Sequence, residues 1–257
     1  MCGRYVLPNE DLIADNFTIH ESRWGFELSY NVAPTQTVPV IRREPEGRVL
    51  DGMRWGLVPS WAKDLAIGAR AINARAETLS SKPMFRAAYK SRRCIVPAAG
   101  FYEWQVREHG KVPHFIHRAD GKPMAFAGLW ESWRSPEDVE VLTCTIVTTS
   151  PNDVMQPLHD RMPVVLDDAA MRAWLDPASP PDALASLLVP YAGALEAYPV
   201  TTAVGSPRVN TPELIERVDA EAAPPPPVRH KRLAPREPVQ LDLGAPAPRQ
   251  AAAAKPR

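Results

Sequence analysis

Apolar residues in this chain recur mostly at every second position or in short unbroken runs, the two patterns of β-strands. Residues 2–7 (CGRYVL) alternate weakly and predict a short strand. Segments 37–42 (TVPVIR) and 49–58 (VLDGMRWGLV) predict two more. A denser series follows at 93–98, 101–106, 113–118, 124–131 and 139–149, with 197–204 as the last strand. Helical signals are fewer. Asn9 predicts the N-cap of a helix over 10–17, with Glu10 and Asp11 in the first turn, where the helix dipole favours negative charge. Ser81 and Pro83 mark a helix start that runs to Lys90. Asp167 caps a helix carrying Ala169, Met171, Trp174 and Leu175, and a short helix is predicted over 182–188. The strands lie close together with short connections and no strand–helix alternation. The predicted class is therefore α+β: a single domain with a mainly antiparallel β-sheet core and flanking short helices.

The pattern stops near residue 220. From Pro224 to the last residue there are nine prolines, and seven Lys/Arg against two acids give a charge of +5. A segment without hydrophobic periodicity cannot bury enough surface to offset its chain entropy. The predicted organisation is a folded body, 1–220, and a disordered Pro/Ala/Arg-rich tail, 221–257. The 257-residue chain as a whole balances 30 Lys/Arg against 30 Asp/Glu, which argues against coating nucleic acid through bulk basicity. Within the acidic body, however, residues 70–93 hold Arg70, Arg75, Lys82, Arg86, Lys90, Arg92 and Arg93 against Glu77 alone. A local +6 fits a phosphate-backbone footprint; a solvated helix face is the competing reading. No apolar run approaches the roughly 20 residues of a membrane helix. The start, MCGRYVLPNEDL, lacks a basic segment followed by an apolar one. Three cysteines without a CxxC or Cys/His cluster suggest neither a disulfide framework nor structural zinc. A soluble cytoplasmic protein without metal or cofactor is expected.

Cys2 is the most informative single residue. Initiator methionine is normally removed before a small residue, which would leave a cysteine bearing both a free α-amine and a thiol. The amine titrates near 7.7–8.0 and the thiol near 8.5, so both supply some nucleophile at neutral pH. Together they can close an aldehyde into a five-membered thiazolidine ring. Three polar residues are candidate partners. Asn73, in AINARAET, can donate to a reacting carbonyl oxygen or serve as a turn residue. Glu103, in GFYEW, shares a strand face with Phe101 and Gln105 and suits a desolvated general acid, or a salt bridge. His159, in PLHDRMP, sits between two prolines that fix its backbone; it suits proton transfer or a structural hydrogen bond. Trp55, Trp61 and Trp104 are either stacking platforms for unpaired bases or core residues.

Six motifs stand in order along the chain: MCGRY (1–5), YNVAPTQ (30–36), RWGLVPSW (54–61), NARAET (73–78), GFYEW (100–104) and LHDRMP (158–163). TTAVGSPRVN (201–210) follows them. Over residues 2–215 the sequence resembles the SOS-response-associated peptidase family, the abasic-site sensor and crosslinking proteins. The resemblance implies binding of single-stranded DNA that contains an abasic site, whose ring-opened sugar presents an aldehyde. It implies Cys2 as the nucleophile of a thiazolidine crosslink, Asn73 positioning the sugar, and Glu103 and His159 moving protons. Arg4, Arg75, Arg86, Arg161 and Arg208 are the candidates for phosphate contact, of which Arg4, Arg75 and Arg161 lie inside the six motifs; Pro34, Trp55, Trp61 and Trp104 complete the candidate DNA-binding set. No recognition helix with a base-edge code stands out, so low sequence specificity is expected. The peptidase label raises two alternatives for Met1, self-cleavage or removal by methionine aminopeptidase. A cysteine hydrolase using Cys2, His159 and Asn73 is the competing activity, and a non-covalent single-strand binder is the competing non-enzyme. In the tail, Gln240, Leu241 and Leu243 resemble the short peptides with which bacterial repair proteins dock on the sliding clamp, although Gly244 stands where a large apolar residue is usual.

Overall fold

The strand-forming runs assemble into two sheets that face each other. The computed structural model describes residues 2–108 and 110–219. In chain order its strands begin with β1 (Tyr5–Leu7), β2 (Glu21–Ser22), β3 (Ser29–Val32), β4 (Thr37–Glu44), β5 (Gly47–Trp55) and β6 (Asn73–Arg75). The long central strands are β7 (Arg93–Ala98), β8 (Gly100–Arg107), β9 (Gly110–Arg118), β10 (Met124–Arg134) and β11 (Glu140–Thr149). Three short ones close the series: β12 (Met162–Pro163), β13 (Val165–Leu166) and β14 (Leu195–Pro199). The helices are α1 (Glu10–Phe17), α2 (Arg86–Ser91), α3 (Asp168–Leu175) and α4 (Pro181–Ser186).

One sheet has the order β14-β9-β8-β1-β3. The other runs β12-β11-β10-β7-β4-β5-β2, and an extra β5–β11 pairing closes β4, β5, β7, β10 and β11 into a ring. Most pairings are antiparallel, as expected from the short connections; β11 pairs in parallel with β5 and β6, and β2 with β5. Alternation along the strands sorts side chains into layers. Tyr5 and Leu7 of β1 point between the sheets, where they meet Trp55, Phe126 and Met53, whereas Val6 points to the outer face. That outer face is covered by the C-terminal segment through Val200, Val204 and Leu214. The far side of the larger sheet is covered by the helices, through Ile13 and Phe17 of α1 and Trp174 of α3.

Local rules explain the helices that were expected. The Asn9 side chain accepts from Leu12 N at 2.9 Å and the Asp167 side chain from Ala170 N at 2.8 Å, so both N-caps satisfy an otherwise orphaned amide. Three expectations need correction. The helix predicted from Ser81 is confined to Arg86–Ser91, because Ser81 Oγ bonds back to Thr78 O and the chain reaches residue 85 through turns. The strand predicted over 49–58 ends at Trp55, where Gly56 adopts φ +132°. The last strand is Leu195–Pro199; Thr201 then caps a short 3₁₀ turn over 202–205. Gln240, Leu241 and Leu243, with all of 220–257, lie outside the described residues.

Candidate active site

Cys2 lies between the two sheets, fully buried, at the start of the segment that becomes β1. Its carbonyl accepts a hydrogen bond from Asn73 Nδ2 at 2.8 Å, a contact across 71 positions of sequence. Asn73 is brought there by β6, which pairs with the second half of β11 in register Ile146↔Asn73. Three residues of strand suffice because β11 supplies the template. Asn73 Oδ1 is buried without a protein partner, so the amide has one acceptor left for a ligand in the site.

Glu103 enters from the other sheet. Tyr102 N donates to Arg4 O at 3.0 Å, which aligns β8 beside the first residues of the chain. Phe101 points between the sheets and Tyr102 outward, so Glu103 points inward, where it is 3% exposed. Its charge reaches Cys2: burial first, and then the Glu103 carboxylate, push the thiol well above the usual range for cysteine. Trp104 is on the opposite face, packed against the cluster under the C-terminal segment. The aromatic residue on the same face of β8 as Glu103 is therefore Phe101 and not Trp104.

His159 is half-buried in the loop before β12. Gln105 of β8 donates to Pro157 O at 3.4 Å and so ties this loop to the strand that carries Glu103. At Nδ1 the ring accepts from Arg161 N at 3.0 Å, which puts the proton of the neutral imidazole on Nε2. The exposed Asp160 carboxylate is 2.8 Å from the same nitrogen and can bind it only when that nitrogen carries a proton. The ring thus has a local partner in either form, an arrangement suited to exchanging a proton.

The residues expected at DNA divide into three groups. Trp61 is 60% exposed, and Arg75, Arg86 and Arg208 are exposed as well. Arg4 is half-buried, with Nη1 on Gly3 O and no carboxylate partner among the described residues. Pro34 is half-buried in a tight turn whose Thr35 has φ +74°. Trp55 is a correction: it is 1% exposed, edge-on to Tyr5 at 5.3 Å, and its Nε1 donates to Ile72 O at 2.9 Å. Its one polar atom is satisfied and both ring faces are packed, so it belongs to the core and offers no stacking surface. Arg161 is already occupied, since Nη1 and Nη2 clamp the Glu77 carboxylate at 2.6 and 3.0 Å and Nη2 also reaches Thr148 O.

The basic run 70–93 is correspondingly smaller than its count. Arg93 is buried and its guanidinium caps four carbonyls, Tyr89 and Lys90 at the end of α2 and Trp174 and Asp176 at the end of α3. Arg92 pairs with Glu131 at 2.7 Å. The exposed cations are Arg70, Arg75, Lys82, Arg86 and Lys90.

Two neighbours of the site escaped the sequence reading. Glu77, the lone acid of the basic run, is the partner of Arg161; its isolation among seven cations was the available signal. His114 stands directly across from Glu103 in the β8–β9 register and is buried, which lowers its pKa and favours the neutral ring. Nothing in PHFIHR distinguishes it from a solvent-facing histidine. Among the described residues no group of His, Cys, Asp and Glu could hold a metal ion, and no helix is long and apolar enough to cross a membrane.

Residues 1–207 match the family model described as SOS response associated peptidase (SRAP). The chain is 48% identical over 222 residues to the abasic site processing protein YoqW of Bacillus subtilis, covering 84% of this chain and 99% of that one. It is 33% identical to the abasic site processing protein HMCES of Xenopus tropicalis, over 75% of this chain and 67% of that one. A crystal structure of a protein from Bordetella bronchiseptica superposes with a TM-score of 0.69 at 29% identity, covering 78% of this chain and all of that one.

Proposed function

The chain belongs to the SOS response associated peptidase family, and from that premise we propose that it processes abasic sites in single-stranded DNA by covalent capture. The observation that carries this reading is the Asn73–Cys2 hydrogen bond, which holds the cysteine backbone between the two sheets, where Glu103 is buried as well. With Met1 removed, Cys2 presents an α-amine and a thiol on adjacent carbons. The amine adds to C1′ of the ring-opened sugar, and loss of one water gives an imine. The thiol then adds across the C=N bond; its sulfur bonds to C1′ and its proton ends on the ring nitrogen. Aldehyde and aminothiol become thiazolidine plus one water, with no oxidant or metal consumed.

Each residue has a part that its position permits. Glu103 takes a proton from the amine nitrogen as it adds to C1′ and returns it to the departing hydroxyl. His159 exchanges protons with the sugar oxygen during ring opening and reversal. Asn73 orients Cys2 through Nδ2 and keeps Oδ1 for the sugar. The thiol need not be ionised at the outset, because the amine begins the reaction. A cysteine hydrolase needs the opposite, a thiol with a lowered pKa, whereas burial and Glu103 raise that of Cys2. Acting on chromosomal single strands, the protein works in the cytoplasm.

Intact-mass analysis tests this directly. The purified protein should lack Met1, and exposure to an abasic oligonucleotide should add one strand per chain less one water. Unmodified protein after prolonged exposure, with the strand bound, would leave only a non-covalent binder.

A further inference from the structure

Trp61 is 60% exposed, yet the loop that carries it is fixed from below. The fixing groups come from the far half of the β10–β11 hairpin. Trp133 of β10 is 4% exposed, and its Nε1 donates to Ala62 O at 2.7 Å, on the peptide next to Trp61. Thr143 of β11 is fully buried; its Oγ1 accepts from Val58 N at 3.0 Å and donates to Glu131 O at 3.3 Å. Gly56 N donates to Cys144 O at 2.8 Å, and Ala62 N closes a turn on Pro59 O at 2.9 Å. Gly56 itself, at φ +132°, lies so close to the Gly68 carbonyl that a side chain at either position would collide with backbone. The loop is tied at both ends and in the middle.

Exposing an indole costs hydrophobic burial, and the fold offsets none of that cost by packing the ring. What the ties provide is a fixed backbone from which the ring projects, which lowers the ordering entropy lost when a flat ligand stacks on it. We propose that Trp133 and Thr143 are positioning residues that hold Trp61 as a preorganised platform for an unpaired base. This rests on the reading that Trp61 meets single-stranded DNA. Neither residue lies in the six motifs, and neither is near Cys2 in the chain.

A double-mutant cycle on affinity for an intact single-stranded oligonucleotide tests the assignment. Trp61→Ala should weaken binding roughly 10-fold or more, the scale of one base–aromatic stack. Trp133→Phe keeps the ring and removes the N–H; it should weaken binding about 5-fold, the scale of one hydrogen bond. In the Trp61→Ala background Trp133→Phe should have no further effect, and crosslinking rates at saturating abasic strand should be unchanged. Thr143→Val, which removes the acceptor for Val58 N, should behave alike and carries the cycle if Trp133→Phe does not fold. Additive losses would show that the hairpin acts by some general structural route and overturn the assignment while leaving Trp61 at the DNA. Unchanged affinity in either single hairpin variant would also overturn it. Unchanged affinity in Trp61→Ala would remove the platform altogether, yet leave capture by Cys2 intact and measurable by mass.

Discussion

The space around Cys2 and the rim that carries Trp61 are built on opposite plans. Around Cys2 the groups that do chemistry are withdrawn from water: the cysteine is fully buried, Glu103 is 3% exposed, and Asn73 reaches them on a strand templated by β11. On the rim, Trp61, Arg75, Arg86 and Arg208 stand in solvent, Trp61 and Arg208 on loops, Arg86 on the short α2 and Arg75 at the end of β6. Burial gives a carboxylate and an amine leverage on each other that water would screen. Exposure gives cations and an indole access to a long polyanion without a desolvation penalty. Changes in the first region should therefore alter rate at fixed affinity, and changes in the second affinity at fixed rate.

The largest effect should come from displacing the cysteine. An alanine inserted between Met1 and Cys2 separates the α-amine from the thiol. Crosslinking should fall to background while binding of the intact strand persists. Wild-type adduct yield from this variant would overturn the mechanism. Cys2→Ser should retain at most a labile imine, detectable after borohydride reduction.

Glu103→Gln should come next. It keeps shape and removes the transferable proton, so single-turnover crosslinking should slow by about 10²–10⁴-fold, the usual range for a general acid–base group. Strand affinity should not change. His159→Ala should share this kinetic character. A loss of affinity at unchanged rate would move Glu103 to the structural side of the comparison.

The buried region was legible in the sequence where local rules act. Asn9 and Asp167 announce their helices because capping needs only the residues within one turn. The long strands announce themselves by apolar runs. Strands β3, β6, β12 and β13 do not, since two to four residues carry no period and exist because a partner strand templates them. Cys2, Asn73, Glu103 and His159 were singled out by residue type and local sequence; the placement of Asn73 and Glu103 beside Cys2, through pairings of β6 with β11 and β1 with β8, was not visible in spacing. On the rim the misreadings have one cause. A count of charges or indoles does not tell which are consumed internally, as Trp55, Arg93 and Arg161 are.

A pH titration of stability separates the two regions again. Burial raises the thiols of Cys94 and Cys144 well above their ordinary value. Below about pH 8.5 they are protonated in both the folded and the unfolded chain, and stability owes them no pH dependence. Above it the unfolded chain releases protons that the folded chain retains, so unfolding becomes more favourable. Each thiol should contribute a fall of up to about 1.4 kcal/mol per pH unit. Denaturant melts between pH 7 and 10 should show this decline, and Cys94→Ala with Cys144→Ala should reduce it to the share of Cys2, whose buried thiol is raised as well, whatever the double variant costs at pH 7. An unchanged slope would mean that these thiols ionise inside the fold.

The finest test sets two arginines of one short stretch against each other. Arg93 and Arg86 are seven residues apart and were equal in the charge count, but Arg93 is buried on four carbonyls and Arg86 is exposed on the first turn of α2. Arg93→Met leaves those carbonyls at the ends of two helices without a donor. It should cost roughly 3 kcal/mol of stability, since each buried unpaired group costs about 1–3. The dependence of strand affinity on salt should be unchanged in that variant. Arg86→Ala should do the reverse. Stability should move by less than about 0.5 kcal/mol, as for an ordinary surface substitution. The slope of log affinity against log salt should drop by about 0.7 if its guanidinium neutralises one phosphate of a single strand. Intact and abasic strands should be affected alike, because the backbone charge is the same in both. A loss confined to abasic strands would bring Arg86 into the lesion pocket, and the division between a buried reactive centre and an exposed binding rim would then have to be redrawn through α2.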